Sequence, residues 1–192
     1  MITLLIIIFI FVLYYQYSKT HYYDVILVKS DIDNNKYLVR DLPDKQLASN
    51  MLAKIKSNIT TLTNHLVTNK AKFPDYSKYI DQLNERIQSS EILESSDNGI
   101  YTSYSVNKGE QLVFCVRSRK DNGKLHDLNM LMYVVLHEIS HVACPEIGHT
   151  QLFKDIFAFF TTEAINIKIY KHIDFRTNSM EYCGLTISDS IV

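Results

Sequence analysis

"VVLHEISHVACPEIGHTQLF", residues 134–153, holds three of the seven histidines and one of the three cysteines of a 192-residue chain. Upstream and within it, Leu128, Leu131, Met132, Val135, Ile139 and Val142 recur at three- and four-residue steps. That period predicts a helix that starts at Asp127, a good N-cap, and is stopped by Pro145. On such a helix His137 and His141 stand one turn apart on one face. Two imidazoles so placed can reach one ion at about 2.0–2.1 Å each. Glu138 points roughly 100° away from its neighbour His137, so it is expected beside the ion and not on it. A carboxylate there serves as a general base toward a water whose pKa the ion lowers from 15.7 to about 7. Histidines in an apolar helix are costly without partners, which favours a metal site over chance. Gly148 then allows a sharp turn, and a further histidine follows.

The stretch resembles the zinc metallopeptidases of the WLM and SprT-like groups. In these a His-Glu-x-x-His helix is followed by a histidine, often after a glycine, and then by a phenylalanine. "TSYSVNKGEQLVFCVRSR" (102–119) and "EYCGLTI" (181–187) extend the likeness to small membrane-anchored WLM-type proteins of large DNA viruses. The strong part covers about residues 100–171. The resemblance implies a zincin-like fold, a Zn2+ cofactor held by His137, His141 and His149, Glu138 as the base, and a protein or peptide substrate. His149 lies eight residues after His141, a spacing that varies among these groups. Two other third ligands stay open. Glu163 lies near the apolar face of a following helix, where glutamate-type zinc peptidases place theirs. Cys144 lies one turn beyond His141 and could bind as thiolate. Glu163 also reads as a partner orienting a ligand histidine.

The rest of the chain alternates hairpin and helix signals. Residues 22–40 read as a hairpin around "DIDNNK". Leu47, Met51, Ile55, Ile59, Leu62 and Leu66 mark a long helix that Pro74 breaks, and Tyr79, Ile80, Leu83 and Ile87 mark a shorter one. "NKGE" (107–110) joins a second hairpin, and Thr150 caps a helix over 151–170. The expected class is α+β: a small antiparallel sheet from the two hairpins, packed on the metal helix. An edge strand near 111–117 is expected to hold substrate as an added strand.

At the N-terminus "MITLLIIIFIFVLYYQYSK" carries no side-chain charge before Lys19. It reads as an uncleaved transmembrane anchor over residues 1–19, ahead of a metallopeptidase domain over 20–192. Tyr14, Tyr15 and Tyr17 would sit at the interface. Lys19, Lys29 and Arg40 would hold the domain on the cytosolic side of a host or virion membrane. An odd cysteine count with wide spacing suggests reduced core thiols. A hydrophobic fraction of 46% and a net charge of -1 suit a packed core and give no global argument for nucleic acid. Residues 107–124 carry five basic side chains against two acidic; with the SprT-like resemblance this admits a DNA-facing patch, against a plain solvated hairpin edge. Tyr182 follows a methionine in "NSMEYCG" and is a candidate electrophile, against a packed C-terminal strand. His65, His126 and His172 read as surface or capping residues, and His21 as juxtamembrane. The expected function is peptide hydrolysis; the alternative is an inactive, zinc-stabilised membrane or virion structural protein.

Overall fold

A computed structural model of the chain describes residues 7–13, 24–97, 101–121 and 123–192. It is an α+β fold with small sheets. Strands β1 (Val25–Lys29) and β2 (Lys36–Arg40) form the first hairpin. Helix α1 (Lys45–Thr68) follows and buries Ala48, Leu52, Ile55, Ile59, Leu62 and Leu66 on one stripe. Leu47, expected on that stripe, is 60% exposed. Two short 3-10 turns around Pro74 lead into α2 (Ser77–Ile87). Strand β3 (Glu91–Glu94) had no counterpart in the sequence reading. It pairs in parallel with β5 (Gln111–Phe114), whose other side pairs antiparallel with β4 (Tyr104–Val106). The two expected hairpins therefore do not share one sheet: β1–β2 stands alone, and β3-β5-β4 is a mixed sheet. The strand carrying 111–114 is central, and the edges are β3 and β4.

Helix α3 (Leu128–Ala143) is buried on nearly every side, with Met130, Leu131, Val135, Leu136, Ile139, Val142 and Ala143 all at 1% exposure or less. A helix apolar all round belongs in the centre. It packs on α1, α2, β4 and α4 (Gln151–Asn166). Asp127 Oδ1 accepts from the amides of Asn129 and Met130, and Thr150 Oγ1 accepts from Phe153 N, so both expected caps form. At the C-terminus of α3, Val142 O accepts from Arg86 Nη1 at 2.7 Å and Gln82 Nε2 at 3.3 Å. Helix α4 ends at Asn166, four residues short of the expected 170. Strands β6 (Met180–Tyr182) and β7 (Leu185–Ile187) form a last hairpin.

Two expectations about the chain's setting are corrected. Among the described residues no helix is long and apolar enough to cross a membrane, so the single-pass anchor over 1–19, with a domain on its cytosolic side, is not supported. Of that segment, residues 7–13 are described; they are helical, with exposed apolar side chains. Residues 1–6 and 14–19, with the interfacial tyrosines and Lys19, lie outside the described residues, as does His21. The cysteines are not all reduced: Cys115 and Cys183 form a disulfide with Cα atoms 6.2 Å apart, and Cys144 is free and buried. The bridge fastens the C-terminal hairpin to the end of β5 across 68 residues of sequence.

The β4–β5 turn touches α3 through Gly109. A Cβ there would lie 2.9 Å from Val142 Cγ1, and its φ is +117°. Gly109→Ala is expected to lower stability by about 2–3 kcal/mol, from overpacking plus backbone strain. Gly123→Ala, at φ +74° in open space, should cost only the backbone part, about 1 kcal/mol. Equal urea midpoints for the two variants would show that the contact with Val142 carries no weight.

Candidate metal centre

His137 and His141 project from one face of α3, as their four-residue spacing requires. His149 reaches them from the segment between α3 and α4, where Gly148 turns the chain at φ +83°. The three Nε2 atoms form a triangle: 3.2 Å from His141 to His137, 3.2 Å from His141 to His149, and 3.0 Å from His149 to His137. Hydrogen bonding cannot satisfy it. A neutral imidazole nitrogen is either a donor or an acceptor, so one N–H can meet one lone pair and the third Nε2 is left over. Three lone pairs turned toward one point fit a cation. Three nitrogens at 2.0–2.1 Å from a tetrahedral ion stand roughly 3.3–3.4 Å apart, close to what is found. Among the described residues this is the one group of three or more potential metal-binding side chains, and neither Glu163 nor Cys144 joins it.

The electrostatics suit the same purpose. Burial, then the neighbouring His141 and His149, lower His137 to about 3. Burial, then His149 and Lys108, lower His141 to about 4. Both are neutral in the physiological range, the form that binds metal. Glu138 is 5% exposed, and burial alone raises its carboxyl to about 7. No hydrogen-bond partner among the described residues holds that carboxyl. It faces a cleft of about 710 Å3 that also receives the three histidines, Tyr182 and residues 102–105 of the β4 edge. The Tyr182 hydroxyl hydrogen-bonds to Ser103 Oγ, which in turn accepts from Cys115 N at 3.1 Å. Burial first, and then the charge of Glu138 among its neighbours, push the Tyr182 phenol above the ordinary tyrosine range.

The chain has relatives among viral proteins. It is 44% identical to an uncharacterized protein of Acanthamoeba polyphaga mimivirus over 191 residues, 100% of this chain and 96% of that protein. The chain belongs to the same family as this mimivirus protein. Shorter likenesses join it to uncharacterized proteins of Invertebrate iridescent virus 6 (39% over 69 residues, 35% of this chain and 38% of the other) and Invertebrate iridescent virus 3 (44% over 54 residues, 28% and 33%). No protein-family model matches the chain, and no solved structure matches it.

The remaining candidates lie elsewhere. Glu163 accepts from His65 Nε2 at 2.7 Å and from Asn166 Nδ2 at 2.9 Å, joining α4 to α1. His65 is thus a buttress and not a bare surface residue. Cys144 caps α3, fully buried. His126 is 8% exposed and accepts from Cys183 N at 3.3 Å, so it supports the Tyr182 hairpin from within. His172 is exposed and bonds to Val192 O. The basic stretch 107–124 loses Arg117 to the interior: it is 3% exposed and paired with Glu94 and Asp44. What the sequence reading missed is the wall of the cleft. Ser103 and the β4 edge lie inside the quoted segment 102–119, and it is the pairing of β3 with β5 that makes β5 central and leaves β4, not β5, as the edge beside the cleft.

Isothermal titration of a divalent cation into the protein is expected to give one site per chain. His149→Ala should weaken it by more than the roughly 10–100-fold typical of an outer-shell partner. Glu163→Ala should leave affinity alone and cost roughly 1–3 kcal/mol of stability instead, by freeing His65. Metal kept in His149→Ala and lost in Glu163→Ala would reverse the ligand assignment.

Proposed function

We propose that this chain is a zinc-dependent metallopeptidase, a zincin-like hydrolase of peptide bonds. The observation that carries the reading is Glu138, a buried carboxyl that faces the cleft beside three convergent imidazole lone pairs. Structural zinc sites are closed by four protein ligands, whereas catalytic ones use three and keep a position open. A structural site would also leave Glu138 with nothing to do. The likeness of residues 100–171 to WLM and SprT-like proteases supports the same reading.

His137, His141 and His149 would hold the ion, which when bound supplies Lewis acidity and a water acidified to about pKa 7. The chain's own residues do the rest. Glu138 takes the proton of the attacking water and returns it to the leaving amine. Its burial favours the neutral acid, and a dication opposite favours the carboxylate, so the group is poised between the two. The Tyr182 hydroxyl, which lines the cleft and hydrogen-bonds to Ser103, would donate to a substrate carbonyl. One side of β4 is taken by β5; an extended substrate can add along the other, which borders the cleft. The substrate is accordingly a stretch of polypeptide in strand conformation.

Glu138→Gln keeps size and polarity and removes the base. It should bind zinc and melt as the wild type does, while turnover of a broad peptide library falls about 10²–10⁴-fold. Zinc lost from this variant, or equal turnover in both proteins, would remove Glu138 from the proposed role. A fully zinc-loaded wild type with no turnover would leave a zinc-stabilised structural protein.

A further inference from the structure

The segment that presents His149 has little backbone support of its own. It runs from Cys144, the C-cap of α3, to Thr150, the N-cap of α4. Ile147 within it is 89% exposed, and His149 itself is exposed. Cys144 N–H closes the helix on Ser140 O. Beyond that bond, among the described residues, one side chain binds the backbone of residues 144–149. Lys108 Nζ donates to Cys144 O at 2.8 Å and to Glu146 O at 2.6 Å.

Lys108 comes from the β4–β5 turn, and that turn is built stiffly. Asn107 and Lys108 have φ of 46° and 57°, and Gly109 has 117°. Left-handed backbone at a non-glycine residue costs roughly 1–2 kcal/mol, so two in succession persist only where the surroundings impose them. Here the surroundings are close. Gly109 lies against Val142 with no room for a Cβ, and Gly109 N and Glu110 N both donate to Val106 O. The base of Lys108 is thereby fixed to α3, the helix that carries the other two histidines.

We propose that Lys108 is the positioning residue of His149. Its ammonium links the start of the 144–149 segment to a rigid turn at two carbonyls. That sets where His149 Nε2 stands relative to His137 and His141. Without the clamp the segment samples other paths, and a site of three ligands becomes one of two. The inference rests on the metal reading of the three histidines, and the test separates the two.

The protein is titrated with zinc against a chelating dye, as wild type, Lys108→Met, Lys108→Arg, His149→Ala and the double variant Lys108→Met/His149→Ala. Lys108→Met keeps the aliphatic stem and loses the donors. Its zinc affinity should fall about 10–100-fold, with an unchanged melting temperature for the metal-free protein. Lys108→Arg, which can still donate to two carbonyls, should recover most of that loss. In the His149→Ala background Lys108→Met should add nothing, because the clamp has no ligand left to place. Loaded with Co2+, Lys108→Met should show the visible absorption of Co2+-loaded His149→Ala, not that of the wild type. A loss of equal size in both backgrounds, or wild-type affinity in Lys108→Met, overturns the clamp and leaves the metal site standing. A wild type that binds no zinc overturns the metal reading itself, and the clamp with it.

Discussion

Phe153 packs its ring against all three imidazoles. Its centroid lies 5.0 Å from that of His137, 4.1 Å from His141, in a stacked arrangement, and 4.9 Å from His149. The ring is 2% exposed and sits in the first turn of α4. Three side chains from a helix and a loop can converge only if something fixes their rotamers, and one aromatic face does so for all of them. The arrangement also fixes the path between the helices. His149 must stand beside Phe153, so α4 must begin at once, and Thr150 caps it there. Phe157, one turn on, continues the aromatic floor under His137 at 5.3 Å and Tyr133 at 5.2 Å. The burial that this floor provides lowers His137 and His141 and is of one kind with the burial that raises Glu138. Neutral imidazoles and a raised carboxyl are two results of one low-dielectric environment.

The frame around that centre is held by a second device, because the small sheets are not joined to each other by backbone ladders. Arg117, just beyond β5, places Nε 2.7 Å from Glu94 on β3 and Nη1 2.6 Å from Asp44 at the start of α1. The other oxygen of Glu94 accepts from Arg40 N on β2. One guanidinium, with Glu94 between, thus connects the mixed sheet and the first hairpin to the longest helix. A buried ion pair is weak evidence of net stability, since desolvation offsets much of the attraction, but losing one partner is costly. Its contribution here is geometric: it fixes how β1–β2 sits against the mixed sheet, and so where β4 borders the cleft.

How legible this was in the sequence depended on the range of each interaction. Helices α1 to α4 followed from apolar period, and the caps of α3 and α4 from Asp127 and Thr150, all local signals. So did the convergence of His137 and His141, which needs only 3.6 residues per turn. The third member of the cluster was harder. The path of residues 144–149 depends on Lys108 and Phe153, and spacing alone left His149, Glu163 and Cys144 open. Strand β3 is four residues, "EILE", too short for a pattern, and it exists through a parallel partner twenty residues on. The disulfide spans 68 residues, and nothing local to Cys115 or Cys183 points to the other. The interior role of Arg117 was hidden in the same way, since a basic residue in a hairpin reads as solvated until Glu94 and Asp44 are brought to it.

The two rival third ligands show how register decides chemistry. A glutamate on the second helix can reach a metal on the first only if the helices cross near it. Here the crossing is set at the N-terminus of α4, where Thr150 caps and Phe153 packs against the histidines. Glu163 lies ten residues beyond Phe153, about 15 Å along the axis, too far to share an ion with His137. A carboxylate at that depth must still find a partner, and α1 supplies one in His65, with Asn69 2.9 Å from the His65 carbonyl behind it. The residue that pattern alone could assign to the metal is therefore used to brace α4 against α1. That brace holds the far end of the helix whose near end carries Phe153. Glu163 is therefore a brace between α4 and α1 and stands apart from the histidine triangle.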